Sequence, residues 1–125
     1  MGFRIFDNNT TGNRFVVNPT SAQAAGLPLL PVTTIDRLVE ELPLTRVDFI
    51  KMDIEGSEQY ALTGAMQTLM RPRSRMALCV YHRSTDADVI PALVASAGAG
   101  YRMRCGACSF RRKELRLVPE IMFFN

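Results

Sequence analysis

Val47-Asp48-Phe49-Ile50-Lys51-Met52-Asp53-Ile54-Glu55-Gly56 carries the pattern from which the rest of the chain can be read. Its apolar residues and length suit a strand buried on both faces, as in a parallel sheet covered by helices. The strand runs into two carboxylates, Asp53 and Glu55, one residue apart and followed by glycine. A helical pattern begins at once, with Ala61, Leu62, Ala65, Met66, Leu69 and Met70 on one apolar face, so one helix is expected from Ser57 to about Met70. Strand, acidic turn and helix in this order indicate an α/β fold, because open sheets of that class bind ligands beyond the carboxyl ends of their strands.

Working outward, Thr33 or Thr34 can cap a helix with Asp36 in its first turn, and Ile35, Leu38, Val39 and Leu42 make its apolar stripe up to Pro43. Downstream, Arg71-Pro72-Arg73-Ser74 ends the central helix, and Met76 to Tyr81 forms a second buried strand leading into His82. A helix follows through Ala97, closed by Gly98; a start near Asp88 would put Pro91 in its first turn, where no amide donor is needed. This strand–helix–strand order argues for a right-handed crossover within a mainly parallel sheet. Tyr101 to Arg104 and Leu115 to Phe124 are expected to close it as an antiparallel pair, with Pro119 marking a bulge or an edge. At the other end, Phe3 to Phe6 and Arg14 to Val17 suggest two short strands, and Asn18 to Pro31 reads as a loop.

The 125 residues suffice for one core, and 47% hydrophobic with 22% charged content is that of a globular domain. No apolar run approaches the ~20 residues that span a bilayer, and the N-terminus lacks the apolar core of a signal peptide, so a cytoplasmic protein with no membrane partner is expected. The net charge of +3 is mild. Its basic clusters, at Arg71, Arg73 and Arg75 and at Arg111, Arg112, Lys113 and Arg116, lack the interleaved aromatics of a nucleic-acid surface. Cys105 and Cys108 make a single Cys-x-x-Cys, too few ligands for a structural zinc site, and they and Cys79 are expected as free thiols with no metal.

Asp53, Glu55, Glu58 and His82 are the residues able to do chemistry. If the two buried strands are parallel, Asp53 and Glu55 after the first and His82 after the second fall on one rim. Histidine, or a carboxylate with a raised pKa, can take a proton near neutral pH. The alternative use of Asp53 and Glu55 is to cap the helix that follows them. Lys51 is expected to lay its stem on apolar surface, and Tyr81 and Tyr101 to be packing residues.

The phrase Val-Asp-Phe-Ile-Lys-Met-Asp-Ile-Glu-Gly-Ser-Glu, with Leu62-Thr63-Gly64-Ala65, resembles the signature of FkbM-type S-adenosylmethionine-dependent methyltransferases. Val32-Thr33-Thr34-Ile35-Asp36-Arg37-Leu38 upstream and Met76-Ala77-Leu78-Cys79-Val80-Tyr81-His82 downstream agree with it, so the resemblance covers roughly residues 32–101. It implies a single Rossmann-like methyltransferase domain, S-adenosylmethionine as cofactor, and O-methylation of a hydroxyl on a sugar, other glycan or secondary metabolite. It favours a catalytic over a capping role for Asp53 and Glu55, and His82 joins them as the candidate base on the strand topology alone. The glycine-rich turn and ribose-binding carboxylate of such a domain do not occur in this chain, whose only close glycine pair, Gly98 and Gly100, follows a helix. The resemblance therefore places them before residue 1, leaves the cofactor-binding residues unassigned, and makes cofactor binding by these 125 residues unexpected. It would also leave an apolar sheet edge free to self-associate. The alternative is a non-catalytic chain that binds a partner through that edge.

Overall fold

The computed structural model describes residues 2–4, 14–16, 31–71, 74–112 and 115–125. The chain forms two compact units, Met1–Thr33 and Thr34–Asn125. In the first, β1 (Gly2–Arg4) pairs antiparallel with β2 (Arg14–Val16), Phe3 facing Phe15. The loop expected between them, and residues 18–30 of the loop that was expected to follow, lie outside the described residues.

The second unit opens with α1 (Ile35–Glu41), where the Thr34 side chain accepts a hydrogen bond from the Arg37 amide, as the capping residues predict. Its expected apolar stripe is not a buried one: Val39 is buried, whereas Leu38 and Leu42 are exposed. Two turns of helix give this segment a narrow contact with its neighbours, and the contact is largely polar. The Asp36 amide donates to the Gly64 carbonyl, and the Asp36 carboxylate accepts from the amides of Gln67 and Thr68 and from the Thr68 hydroxyl.

That carboxylate explains the main departure from the expected helix. The segment after the central strand divides into α2 (Glu58–Thr63) and α3 (Met66–Met70), with the break at Gly64 and Ala65. Asp36 caps the free amides that the break exposes at the start of α3, so the second helix is terminated from a distant part of the chain. Gly64 is needed there for close approach: a Cβ on it would lie 3.0 Å from both Cβ and Cγ2 of Thr34. The apolar periodicity survives the break, since Leu62, Ala65 and Leu69 are all fully buried. Burial of each leucine contributes on the order of 1.5–3 kcal/mol.

The sheet runs β3 (Phe49–Met52), β4 (Arg75–Cys79), β8 (Ile121–Phe124), β5 (Met103–Cys105), with only β3 and β4 parallel. The architecture is thus α/β with a mixed sheet, and the mainly parallel arrangement expected from the strand–helix order is confined to that one pair among the described residues. The strand expected to be buried on both faces is covered on one. Ile50 and Met52 join Met76, Leu78, Met122 and Phe124 in a core with Leu62, Leu69, Ile90 and Val94, while Phe49 is 54% exposed. Helices α2, α3 and α4 (Asp86–Ser96) all contribute to that one core, which leaves Phe49 and Lys51 on the other side of the pleat.

Helix α4 starts two residues earlier than the position that would suit Pro91, so the proline lies inside it. The bond its missing N–H would have made is lost, and the packing of Ile90 and Val94 outweighs that loss. Gly98, at φ 69°, closes the helix as expected. The antiparallel closure is longer than the sequence suggests. Strand β6 (Cys108–Arg111) pairs with β7 (Arg116–Pro119), and both continue the β5–β8 ribbon. Two residues on each side separate the paired stretches, Gly106 and Ala107 against Glu120 and Ile121, so no bulge is inserted and Pro119 lies in an edge strand.

Candidate functional site

The parallel register aligns the ends of β3 and β4, with Met52 opposite Leu78. Both strands therefore deliver their next residues to one rim. After β3 the chain makes a tight turn in which the Ser57 amide bonds to the Ile54 carbonyl, 3.2 Å away. Its two central residues, Glu55 (φ 55°) and Gly56 (φ 87°), both occupy the left-handed region, the pattern of a type I′ turn. Glycine suits that backbone, and any Cβ on Gly56 would come within 3.2 Å of Arg83 Nε. Glu55 holds the same region with a full side chain, which costs on the order of 1 kcal/mol. The turn brings its carboxylate to His82.

His82 follows β4, and its side chain is only 8% exposed. Nδ1 lies 3.0 Å from Oε1 of Glu58, a carboxylate with no solvent exposure whose Oε1 also accepts from the Ile54 amide at 2.8 Å. The Glu58 oxygen stands off the line of the ring N–H, so the contact is a close approach without an aligned hydrogen bond. On the opposite edge, Nε2 lies 3.5 Å from Asp53 Oδ1 and 3.7 Å from Glu55 Oε2, too far for good hydrogen bonds. Both ring nitrogens are thus buried without a hydrogen-bond partner among the described residues.

The three residues singled out from the sequence, Asp53, Glu55 and His82, therefore come together, with one ligand atom from each within 4.8 Å of the others. Glu58 is on the far side of the imidazole, not beside the other two acids. Asp86 completes that far side, buried and fully engaged: it accepts from the Gln59 side chain at 2.8 Å and from the Arg83 amide at 2.7 Å.

The surroundings of the rim include groups the sequence assigned elsewhere. The Tyr81 hydroxyl faces Asp53 Oδ1 at 3.4 Å, and burial followed by the Asp53 charge raises its pKa. Burial, then the same carboxylate, pushes the Cys79 thiol up to about 11. Lys51 keeps an exposed tip, 4.0 Å from Asp53 Oδ2. Arg111, part of a basic cluster in the sequence, donates to the Tyr81 carbonyl at 2.9 Å and so ties the β6–β7 hairpin to the edge of the rim. Nothing in the spacing of Tyr81 or Arg111 announces these contacts. Cys105 and Cys108 are exposed, unlinked thiols, and Tyr101, expected as packing, donates to the Leu69 carbonyl.

The imidazole and its carboxylates lie at the carboxyl ends of two parallel strands, the place where open α/β sheets bind their ligands. Residues 7–103 match the Methyltransferase FkbM domain, and the chain belongs to that family. The crystal structure of a methyltransferase FkbM from Methylobacillus flagellatus KT is 31% identical over the shared region, with a TM-score of 0.48. The similarity covers 62% of this chain and 19% of that one. Comparison with curated proteins gives no match.

At Gly56, the glycine of the rim, the space a Cβ would fill is lined by the side chains of Arg83 and His82. No helix among the described residues is long and apolar enough to cross a membrane.

Proposed function

We propose that this rim binds and deprotonates a hydroxyl group, on a sugar or a secondary metabolite, in an S-adenosylmethionine-dependent O-methylation. The observation that carries this is His82: a buried imidazole with one nitrogen against Glu58 and the other turned to Asp53 and Glu55. The Glu58 carboxylate favours the proton on Nδ1, which leaves the lone pair on Nε2. An acceptor hydroxyl entering between Nε2 and the two rim carboxylates loses its proton to Nε2 as its oxygen takes the methyl group. The resulting imidazolium lies among Asp53, Glu55 and Glu58. Glu58 is a positioning residue, and Asp53 and Glu55 orient the hydroxyl. Family membership supplies the donor in this reading, and β3, β4 and their helices form part of a Rossmann-like methyltransferase sheet.

The test is transfer of a labelled methyl group from S-adenosylmethionine to a panel of sugars, secondary-metabolite alcohols, amines and thiols. It is run with the 125-residue chain and with the same chain joined to a family glycine-rich cofactor segment. Label on hydroxyl oxygens of one acceptor class, in the joined chain, is the expected result. Label found only on nitrogen or sulfur acceptors would overturn the O-methylation reading.

A further inference from the structure

The gap between His82 Nε2 and the rim carboxylates has a length that calls for an ion. Nε2 stands 3.5 Å from Asp53 Oδ1 and 3.7 Å from Glu55 Oε2. Hydrogen bonds to a carboxylate are shorter, about 2.7–2.9 Å. Two ligands of a tetrahedral ion with ~2.1 Å bonds lie roughly 3.4 Å apart. The observed spacings are close to that chord. The imidazole is also the kind of group that such an ion would explain: more than nine-tenths buried, aimed at the two acids, and without a hydrogen-bond partner.

The other ring nitrogen supports the same reading. Metal-bound histidines almost always set their second nitrogen against a carboxylate or carbonyl, which fixes the ring and strengthens the ligand. Glu58 stands in that place, 3.0 Å from Nδ1, fully buried and held by the Ile54 amide. Charge points the same way. Asp53, Glu55 and Glu58 surround one imidazole, and Lys51 pairs with Asp53 only at 4.0 Å and through Oδ2, leaving Oδ1 toward the ring. The alternative trio of Glu58, His82 and Asp86 is closed, because both Asp86 oxygens already accept hydrogen bonds and both acids are buried.

We propose that Asp53, Glu55 and His82 bind one divalent first-row transition ion of the zinc or cobalt class, through one oxygen from each carboxylate and Nε2. Two oxygens and one imidazole nitrogen suit such ions better than magnesium, which prefers oxygen alone and retains its waters. Three protein ligands leave at least one position open to water or an acceptor oxygen. The inference rests on the same rim as the proposed function but not on its catalytic role. An ion on Nε2 occupies the lone pair assigned to the base, so the metal-bound rim is a state in which proton uptake by His82 is switched off.

The experiment uses the chelator-treated 125-residue chain carrying Cys105→Ser and Cys108→Ser, which removes the exposed thiols as competing ligands. Calorimetric titration with Zn2+ is paired with Co2+ visible absorption, which reports coordination directly. One equivalent should bind, with an intense low-symmetry cobalt spectrum. Glu55→Gln, in an exposed turn, and His82→Gln should each weaken binding at least about tenfold. Glu58→Gln should weaken it roughly 10- to 100-fold through the imidazole. Mg2+ should not displace Zn2+. Absence of saturable binding, or the same affinity in Glu55→Gln as in the parent chain, would overturn the proposal. Neither result bears on hydroxyl methylation, which is read by label transfer, and failure of label transfer leaves the ion titration unaffected.

Discussion

Replacing Asp36 removes one side chain and breaks the link between α1 and the start of α3. Its Oδ1 accepts from the Thr68 amide and hydroxyl, both at 2.7 Å, and Oδ2 accepts from the Gln67 amide at 3.0 Å. Thr68 is buried, so water replaces these bonds poorly. An N-cap carboxylate contributes about 0.5–2 kcal/mol, and hydrogen bonds to a charged group about 1.5–3 kcal/mol, not additively. Asp36→Ala should therefore destabilise the fold by about 2 kcal/mol. Asp36→Asn keeps an oxygen for Thr68 but turns an amino group toward the Gln67 amide, and about 1 kcal/mol is expected. Burial pushes the Asp36 carboxyl up, but the Thr68 and Gln67 hydrogen bonds and the Arg71 charge outweigh it and hold it below 3.8. Because folding lowers this pKa, the unfolded chain takes the proton more readily. The stabilisation is complete above the unfolded value and is lost as pH falls through the lower folded one. Urea unfolding at pH 7 and at intervals down to pH 3 measures both effects. The gap between parent and Asp36→Ala should stay constant from pH 7 to about 5 and narrow below about 4. A gap under ~0.5 kcal/mol at pH 7, or one that widens on acidification, would refute the capping role.

Gly64→Ala should cost about 1–3 kcal/mol, since the new methyl meets Thr34 at 3.0 Å, and urea midpoints of Gly64→Ala with and without Thr34→Ser will show whether that contact is the cause. At pH 8, an aromatic disulfide reagent should modify Cys105 and Cys108 in the native protein and leave Cys79, buried and with its thiol pushed up to about 11, until denaturant is added. Strand β3 pairs only with β4 among the described residues and exposes Phe49, so Phe49→Lys should lower any self-association seen by sedimentation velocity; unchanged association would move the interface elsewhere.

The positions of Asp53, Glu55 and His82 were legible because they depend only on two parallel strands ending at the same level, and short apolar strands flanking a helical pattern are enough to specify that. The crossover, the cap at Thr34 and the stop at Gly98 were readable for the same local reasons. Long-range contacts were not. Gly64 and Asp36 are 28 residues apart in sequence, and the break between α2 and α3 exists only because the two meet. The division of roles between Glu58 and the rim acids was hidden too. It depends on the left-handed turn at Glu55 and Gly56, which sends Glu55 to one side of the imidazole while α2 carries Glu58 to the other. The one-sided burial of β3 was signalled by Lys51 alone, and Val47 and Phe49 on the same face hid it.

The central claim is that His82 takes the acceptor's proton, and steady-state methyl transfer by His82→Gln, in the chain joined to a family cofactor segment, tests it most directly. The account predicts that kcat/KM falls by about 10²–10⁴ while the melting temperature stays at the parent value. Transfer at the parent rate would contradict it and would assign His82 to packing between Glu58 and the rim.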